Sequence, residues 1–222
     1  LDEINRIPLK SQSAFLEGLQ DRTITVGKNT YDLPAFSFAI ATMNPVELGQ
    51  GTFPLSEAAT DRFAAMVQIG YLPKEEEEKL VDFDFKRMTL RPLLSKDRII
   101  DLRARISEHV FLHKSLGRYV QRLVGATRPR DPHTDWLERS PSELVERGVD
   151  LGASPRAIIC WSRLAKAWAL LQGGRDEVYP EDVQALAPFV LGHRIWLGPH
   201  AAAHGLTTDA VIADVLAEVP IP

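Results

Sequence analysis

The sequence predicts an α/β layer followed by an all-helical domain, and three observations carry that expectation. Over the first seventy residues, strand-like and helix-like patterns alternate, as they do where sheets and helices are layered. From Lys74 onward, apolar residues recur almost only at three- and four-residue steps, the period of a helix with one buried face. Ser154-Pro155 stands before a long run of that kind and Gly173-Gly174 behind it, the residue types that start and stop helices.

Residues 9–20 alternate polar and apolar at helical spacing, with Ala14, Phe15 and Leu19 able to share a face. The stretch TITVGKNTYDLP (23–34) reads as a β-hairpin turning at Gly-Lys-Asn, because β-branched residues flank a turn-forming centre. FSFAIATMNP (36–45) is expected to be a buried strand that Pro45 terminates. Residues 57–63 form a short helix and 64–69 a further strand. After GYLPKEEEE the pattern is helical at 97–105, at 115–127 with Tyr119, Leu123 and Val124 close in angle, and at 154–172. On the last of these, Ile158, Trp161, Ala165, Trp168 and Leu171 follow one another at helical steps. Residues 128–148 read as an irregular insertion holding a short helix, SPSELVER, and 181–191 and 208–216 as two more helices. The domain boundaries expected are 1–72 for a partial α/β core, 73–96 for a linker and 97–222 for the helical domain.

The chain has 222 residues, 45% hydrophobic and 25% charged, enough for one or two domains with sizeable cores. A formal charge of −4 and the lack of a basic, aromatic-laced stripe argue against nucleic acid as the partner. One cysteine, Cys160, cannot form an internal disulfide, which suits a cytoplasmic, reducing setting; it reads as a small buried hydrophobe. No apolar run approaches the roughly 20 residues that cross a bilayer.

Four places can carry chemistry. Asp2 and Glu3 are adjacent acids after a leucine. At the end of a strand such neighbours point to opposite faces, so one can hold a magnesium-bound water while the other polarises an attacking water; adjacent acids at a chain end are also common. Asn44 ends an apolar run just before Pro45: it either orients water beside a phosphate or opens a turn. Arg62, in ATDRF, either forks onto a phosphate or pairs with Asp61 or Glu57. Arg156 sits one residue past Pro155, at a helix start that already favours anions, so a cation there calls for a negative neighbour. Two histidine pairs at four-residue spacing, His109/His113 and His200/His204, have no acidic third ligand beside them and read as surface residues rather than metal ligands. KEEEEK (74–79) reads as a solvated helix start.

Taken in order, LDEINR…SQSAFLE, ATMNPVELGQGTFPLSEAATDRF, GASPRA, PEDVQALAPFVLGHRI and the closing DVLAEVPIP resemble the MoxR-type AAA+ ATPases over most of the chain, except about 128–149. The resemblance implies the C-terminal part of a P-loop NTPase core, a parallel sheet with helices, followed by a helical lid. It implies ATP and Mg2+ as ligands. Asp2 then matches the Walker B acid near magnesium and Glu3 the general base. Asn44 matches sensor 1, Arg62 the arginine finger that reaches a neighbouring subunit, and Arg156 sensor 2. It further implies a homo-oligomer, a hexameric ring, acting as a chaperone-like remodeller in maturing protein complexes or metalloenzymes. Partners carrying a von Willebrand factor A domain, and a client protein, come with it. The family's phosphate-binding loop, G-x-x-x-x-G-K-[ST], has no match here: Gly27-Lys28 has Arg22 where the first glycine belongs and Asn29 where the hydroxyl belongs. The backbone nest and lysine of that loop hold the phosphates. The chain is therefore expected to lack the N-terminal part that carries the loop and to be inactive by itself. The alternative is a catalytically inactive fragment serving as a protein-interaction module.

Overall fold

The computed structural model describes residues 1–44, 53, 55–84, 88–130 and 142–222. Pro45, most of the stretch up to Pro54, and residues 131–141 of the expected insertion lie outside the described residues. The elements in chain order are α1 (Leu9–Asp21), β1 (Thr23–Val26), β2 (Asn29–Asp32), α2 (Glu57–Thr60), α3 (Lys74–Lys79), α4 (Lys96–His109), α5 (Lys114–Ala126), α6 (Glu143–Gly148), β3 (Val149–Leu151), α7 (Pro155–Gly173), α8 (Pro180–Leu191), β4 (Trp196–Leu197), α9 (Pro199–Ala203) and α10 (Thr208–Glu218).

The helical half closes on itself. Its core joins Leu116, Tyr119, Val120, Leu123 and Val124 of α5 to Ala157, Trp161, Ala165 and Ala169 of α7, to α8 and to α10. On α7 the buried stripe runs 157, 161, 165, 169, one turn apart, and three of its four members are alanine, which lets the neighbouring helices approach closely. The expected face included Leu171, which is instead 79% exposed; the stripe turns on Ala169. Cys160 is partly exposed rather than buried, because it neighbours the stripe without being on it. Ser154 caps α7 by accepting the Arg156 N–H, and Gly174 ends it at φ 64°, a conformation that favours glycine. Trp161 donates its indole N–H to the Val183 carbonyl at 3.0 Å, so its one polar atom is satisfied inside the core. A small antiparallel pair, β3 with β4, lies within this half where only helices were expected.

The first half is open. The hairpin forms with Val26 opposite Asn29, so the turn is the two residues Gly27-Lys28 and not three; Gly27 takes φ 65°, as the first central residue of a tight hairpin turn must. Residues 36–44 are not a buried strand: Phe38 is 79% and Ile40 64% exposed, since no layer among the described residues covers them. Residues 64–69 are not a strand either; Met66 instead donates its N–H to the Phe189 carbonyl of α8 at 2.9 Å. Among the described side chains of α1, Gln12 and Leu16 are buried and Phe15 is 40% exposed; the side chain of Leu19, also expected on that face, lies outside the described residues. The expected linker holds α3 and a 3-10 turn at Leu80–Asp82, with its described residues exposed. No helix of the described residues is long and apolar enough to cross a membrane.

Candidate active site

The opening residues pair with the segment that ends in Asn44. The Leu1 amine donates to the Ile40 carbonyl at 2.7 Å, and the Thr42 N–H donates to the Leu1 carbonyl at 2.9 Å. One residue bonded to two that flank a single partner is the parallel ladder pattern, so Leu1 runs alongside Ala41 in the same direction. The chain then leaves the ladder. Asp2 and Glu3 form a turn into a 3-10 helix, Ile4–Arg6, not the end of an alternating strand as expected. Glu3 takes φ 47°, ψ 55°, left-handed backbone that costs a non-glycine residue about 1–2 kcal/mol.

Thr42 holds that turn. Its hydroxyl donates to Asp2 Oδ1 at 2.5 Å and accepts the Glu3 N–H at 2.9 Å. The buried Gln12 donates to the carbonyls of Ile4 and Ile7 at 3.2 and 2.9 Å, fixing the turn from the other side. Asn5 donates to the Asn44 carbonyl at 3.3 Å. Asp2, Glu3 and Asn44 are therefore brought to one edge by Thr42 and Asn5. Glu3 forms an ion pair with Arg6 at 3.1 Å, with both side chains about half exposed. Asp2 is exposed, with one carboxylate oxygen braced by the Thr42 hydroxyl, and a carboxylate of this kind is the hard oxygen donor that Mg2+ takes alongside water and phosphate oxygens.

Arg62 and Arg156 belong to a second cluster, centred on Asp61. Ser56 caps α2, and the chain turns out of it at Asp61-Arg62. Asp61 Oδ2 accepts from Ser154 Oγ at 2.7 Å and from Arg156 Nη1 at 3.4 Å, while Oδ1 accepts from Arg194 Nε at 2.9 Å. Burial pushes the Asp61 carboxyl up, but Ser154, Arg194 and Arg156 outweigh it and hold it below the usual carboxylate range. The negative neighbour that Arg156 calls for at the start of α7 is thus Asp61. Arg156 stays 47% exposed, whereas the Arg194 side chain is 1% exposed. Arg62, just past α2, donates from Nη1 back to the Ala58 carbonyl of that helix, and its buried Nε has no hydrogen-bond partner. Among the described residues Arg62 forms no ion pair with Asp61 or Glu57; Asp61 pairs with Arg156 and Arg194 instead.

The start of α7 is set by a close backbone approach. Thr127 Oγ1 accepts the Ala153 N–H at 2.9 Å, and Arg128 Nε donates to the Ala153 carbonyl at 2.8 Å. A β-carbon on Gly152 would lie 2.4 Å from the Thr127 carbonyl, so the glycine of GASPRA is needed for this crossing. His193 is buried and donates from Nε2 to the Phe63 carbonyl at 3.0 Å. Burial, with the Arg194 charge beside it, lowers its pKa to about 4, so the ring is neutral near pH 7. Sequence reasoning assigned no site role to Thr42, Asp61, His193 or Arg194; all four stand inside quoted motifs, but nothing in spacing ties Asp61 to Arg194. Of the histidine pairs, His113 caps α5 and His200 and His204 lie with ring centroids 4.2 Å apart at α9.

Two family models match the chain: that of the ATPase family associated with various cellular activities over residues 1–65, and the AAA lid domain over residues 142–215. All of the chain aligns with the uncharacterized protein YeaC of Bacillus subtilis at 37% identity, covering 64% of that protein. It aligns equally well, at 37%, with Chaperone MoxR1 of Mycobacterium tuberculosis, covering 56% of it, and at 29% with Protein MoxR of Methylorubrum extorquens, covering 65%. A crystal structure from Cytophaga hutchinsonii, described as a candidate ATPase, superposes with a TM-score of 0.85 at 38% identity over 100% of this chain and 65% of that one. The chain thus spans about two thirds or less of the length of the relatives it matches. With part of an ATPase core ahead of a lid, and MoxR proteins among its relatives, this chain belongs to the AAA+ ATPase family, in its MoxR-type branch.

Proposed function

We propose that the protein to which this chain belongs hydrolyses ATP and uses the energy as a chaperone-like remodeller of protein complexes. The observation that carries this reading is the Thr42 clasp, which ties the Asp2–Glu3 turn to the segment ending in Asn44. Hydrolysis needs those three groups side by side: Asp2 to hold a magnesium-bound water, Glu3 to take a proton from the attacking water, Asn44 to orient that water without adding charge. Magnesium, when bound, neutralises charge on the β- and γ-phosphates. The left-handed backbone at Glu3 fits a residue held in place for a task, and Arg6 gives its carboxylate a resting partner. Arg62 serves as the finger for a neighbouring subunit and Arg156, at the start of α7, as the lid's phosphate contact.

A finger of this kind works across a subunit joint, so the assembly is a homo-oligomer, a hexameric ring in this reading. The chaperone-like role is drawn from the relative named Chaperone MoxR1. A von Willebrand factor A domain protein and a client protein are the partners that go with it, in the cytoplasm. The test is ATP turnover by the full-length protein. Glu3→Gln is expected to lower kcat by about 10²–10⁴ while nucleotide binding persists, and Arg62→Ala by about 10³–10⁵. Turnover indifferent to Glu3→Gln would end this reading.

A second reading, a non-enzymatic interaction module, is favoured by the apolar exposure along residues 69–94, where Tyr71 is 100% and Leu93 94% exposed. It requires a full-length protein that neither binds nor turns over ATP.

A further inference from the structure

Arg194 follows α8 in the lid, yet most of its hydrogen bonds go to the other half of the chain. Nε donates to Asp61 Oδ1 at 2.9 Å, Nη2 to the Asp61 and Phe63 carbonyls at 3.1 and 2.6 Å, and Nη1 to the Ala64 and Val190 carbonyls at 3.3 and 2.6 Å. Five donors meet five acceptors, the full capacity of a guanidinium. The side chain is 1% exposed, so these bonds form away from water, where an unmade one is costly. His193 adds a bond to the same Phe63 carbonyl at 3.0 Å. The backbone carbonyls on both sides of Arg62 are therefore held from the lid. Arg62 itself lies back on Ala58 with a buried, unpartnered Nε, so its placement depends on the backbone that carries it.

We propose that Arg194 is the positioning residue for Arg62: the lid, through Arg194, sets where the Arg62 backbone stands and hence whether the finger reaches its target. The inference rests on the reading of Arg62 as a group acting in ATP hydrolysis. Lysine in place of Arg194 keeps the charge but offers three donors from one point, too few and too concentrated to span carbonyls from residues 61 to 64. A displacement of about 1 Å in a positioned group costs on the order of 100-fold in rate.

The test is a double-mutant cycle on turnover by the full-length protein with Arg194→Lys, Arg62→Ala and both. Arg194→Lys is expected to lower kcat about 100-fold with the KM for ATP unchanged, and to have no further effect in the Arg62→Ala background. Losses that multiply, or a kcat unchanged by Arg194→Lys, overturn the inference while leaving the proposed function standing. No turnover by the unmodified full-length protein overturns both. Should Arg194→Lys fail to fold, His193→Gln carries the same cycle more gently: a several-fold loss of kcat that vanishes in the Arg62→Ala background supports the inference, and a loss that persists there overturns it.

Discussion

The helical half and the opening half of this chain contain similar kinds of apolar residues and treat them in opposite ways. Tyr119 and Trp161 are fully buried, whereas Phe38 and Ile69 are 79% and 90% exposed. The core cluster runs from Val110 to Val219 and takes no member from the described residues among the first hundred. The difference follows from how each kind of element satisfies itself. A helix makes its backbone hydrogen bonds internally and needs partners only along one stripe. A strand needs neighbours on both edges and a layer on each face. Within the described residues α5, α7, α8 and α10 supply each other's stripes, while residues 40–44 are bonded to one short segment, Leu1 to Asn5.

Three substitutions or titrations sharpen this contrast or break it. The largest effect is expected at Trp161. Trp161→Ala should cost about 3–5 kcal/mol in urea unfolding, from lost burial and a cavity, while Phe38→Ala should stay within about 0.5 kcal/mol. Equal costs would mean the first half has a core of its own.

The seam between the halves should weaken in acid. His193 has a pKa of about 4 when folded against about 6.5 when unfolded. The unfolded chain therefore binds this proton first. The stability tied to a neutral His193 is complete above pH 6.5 and is lost as pH falls toward 4, by up to roughly 3 kcal/mol. Asp61, whose folded pKa is depressed, extends the loss below the ordinary aspartate range, since protonation removes its hold on Arg194. Equilibrium unfolding at pH 7, 5.5 and 4.5 should show the His193 part, and His193→Gln should remove that slope. A slope that survives in the variant would place the titration elsewhere.

Glycines offer the smallest contrast. Gly152→Ala puts a β-carbon 2.4 Å from a backbone carbonyl and should cost about 1–3 kcal/mol. Gly27→Ala meets open space and pays only for its positive φ, about 1 kcal/mol. Melting temperatures of the two variants should rank in that order.

What could be read from the sequence divides along the same line. The helices of the lid were legible because period and caps agree: Ser154, Pro155 and Gly174 frame α7 as expected, and Tyr119, Leu123 and Val124 all fall in the core. On α7 Trp161 and Ala165 are buried and Ile158 and Trp168 pack against the core as expected, but Leu171 is exposed, because alanine at 157 and 169 carries little hydrophobic signal and Leu171 carries much. The strand at 36–44 was misread because an apolar run announces a wish for cover, not its presence. Asp2, Glu3 and Asn44 stand out in the sequence as candidates, but the turn at Glu3 and the Thr42 clasp depend on a partner some forty positions away. Arg62 and Arg156 stand out in the sequence as candidates; the Arg194 bracket that joins their surroundings does not, since a buried charge pair 133 residues apart in sequence leaves no periodic trace.

The central claim is that one hydrolytic site takes Glu3 from one copy and Arg62 from the next. Mixing two full-length variants, Glu3→Gln and Arg62→Ala, tests it most directly. Each should be inactive by itself, and the mixture should regain a clear fraction of ATP turnover, because the Glu3→Gln subunit lends its intact Arg62 to the working Glu3 beside it. A mixture as inactive as its parts would show that both groups serve a site within a single subunit, and would contradict the account.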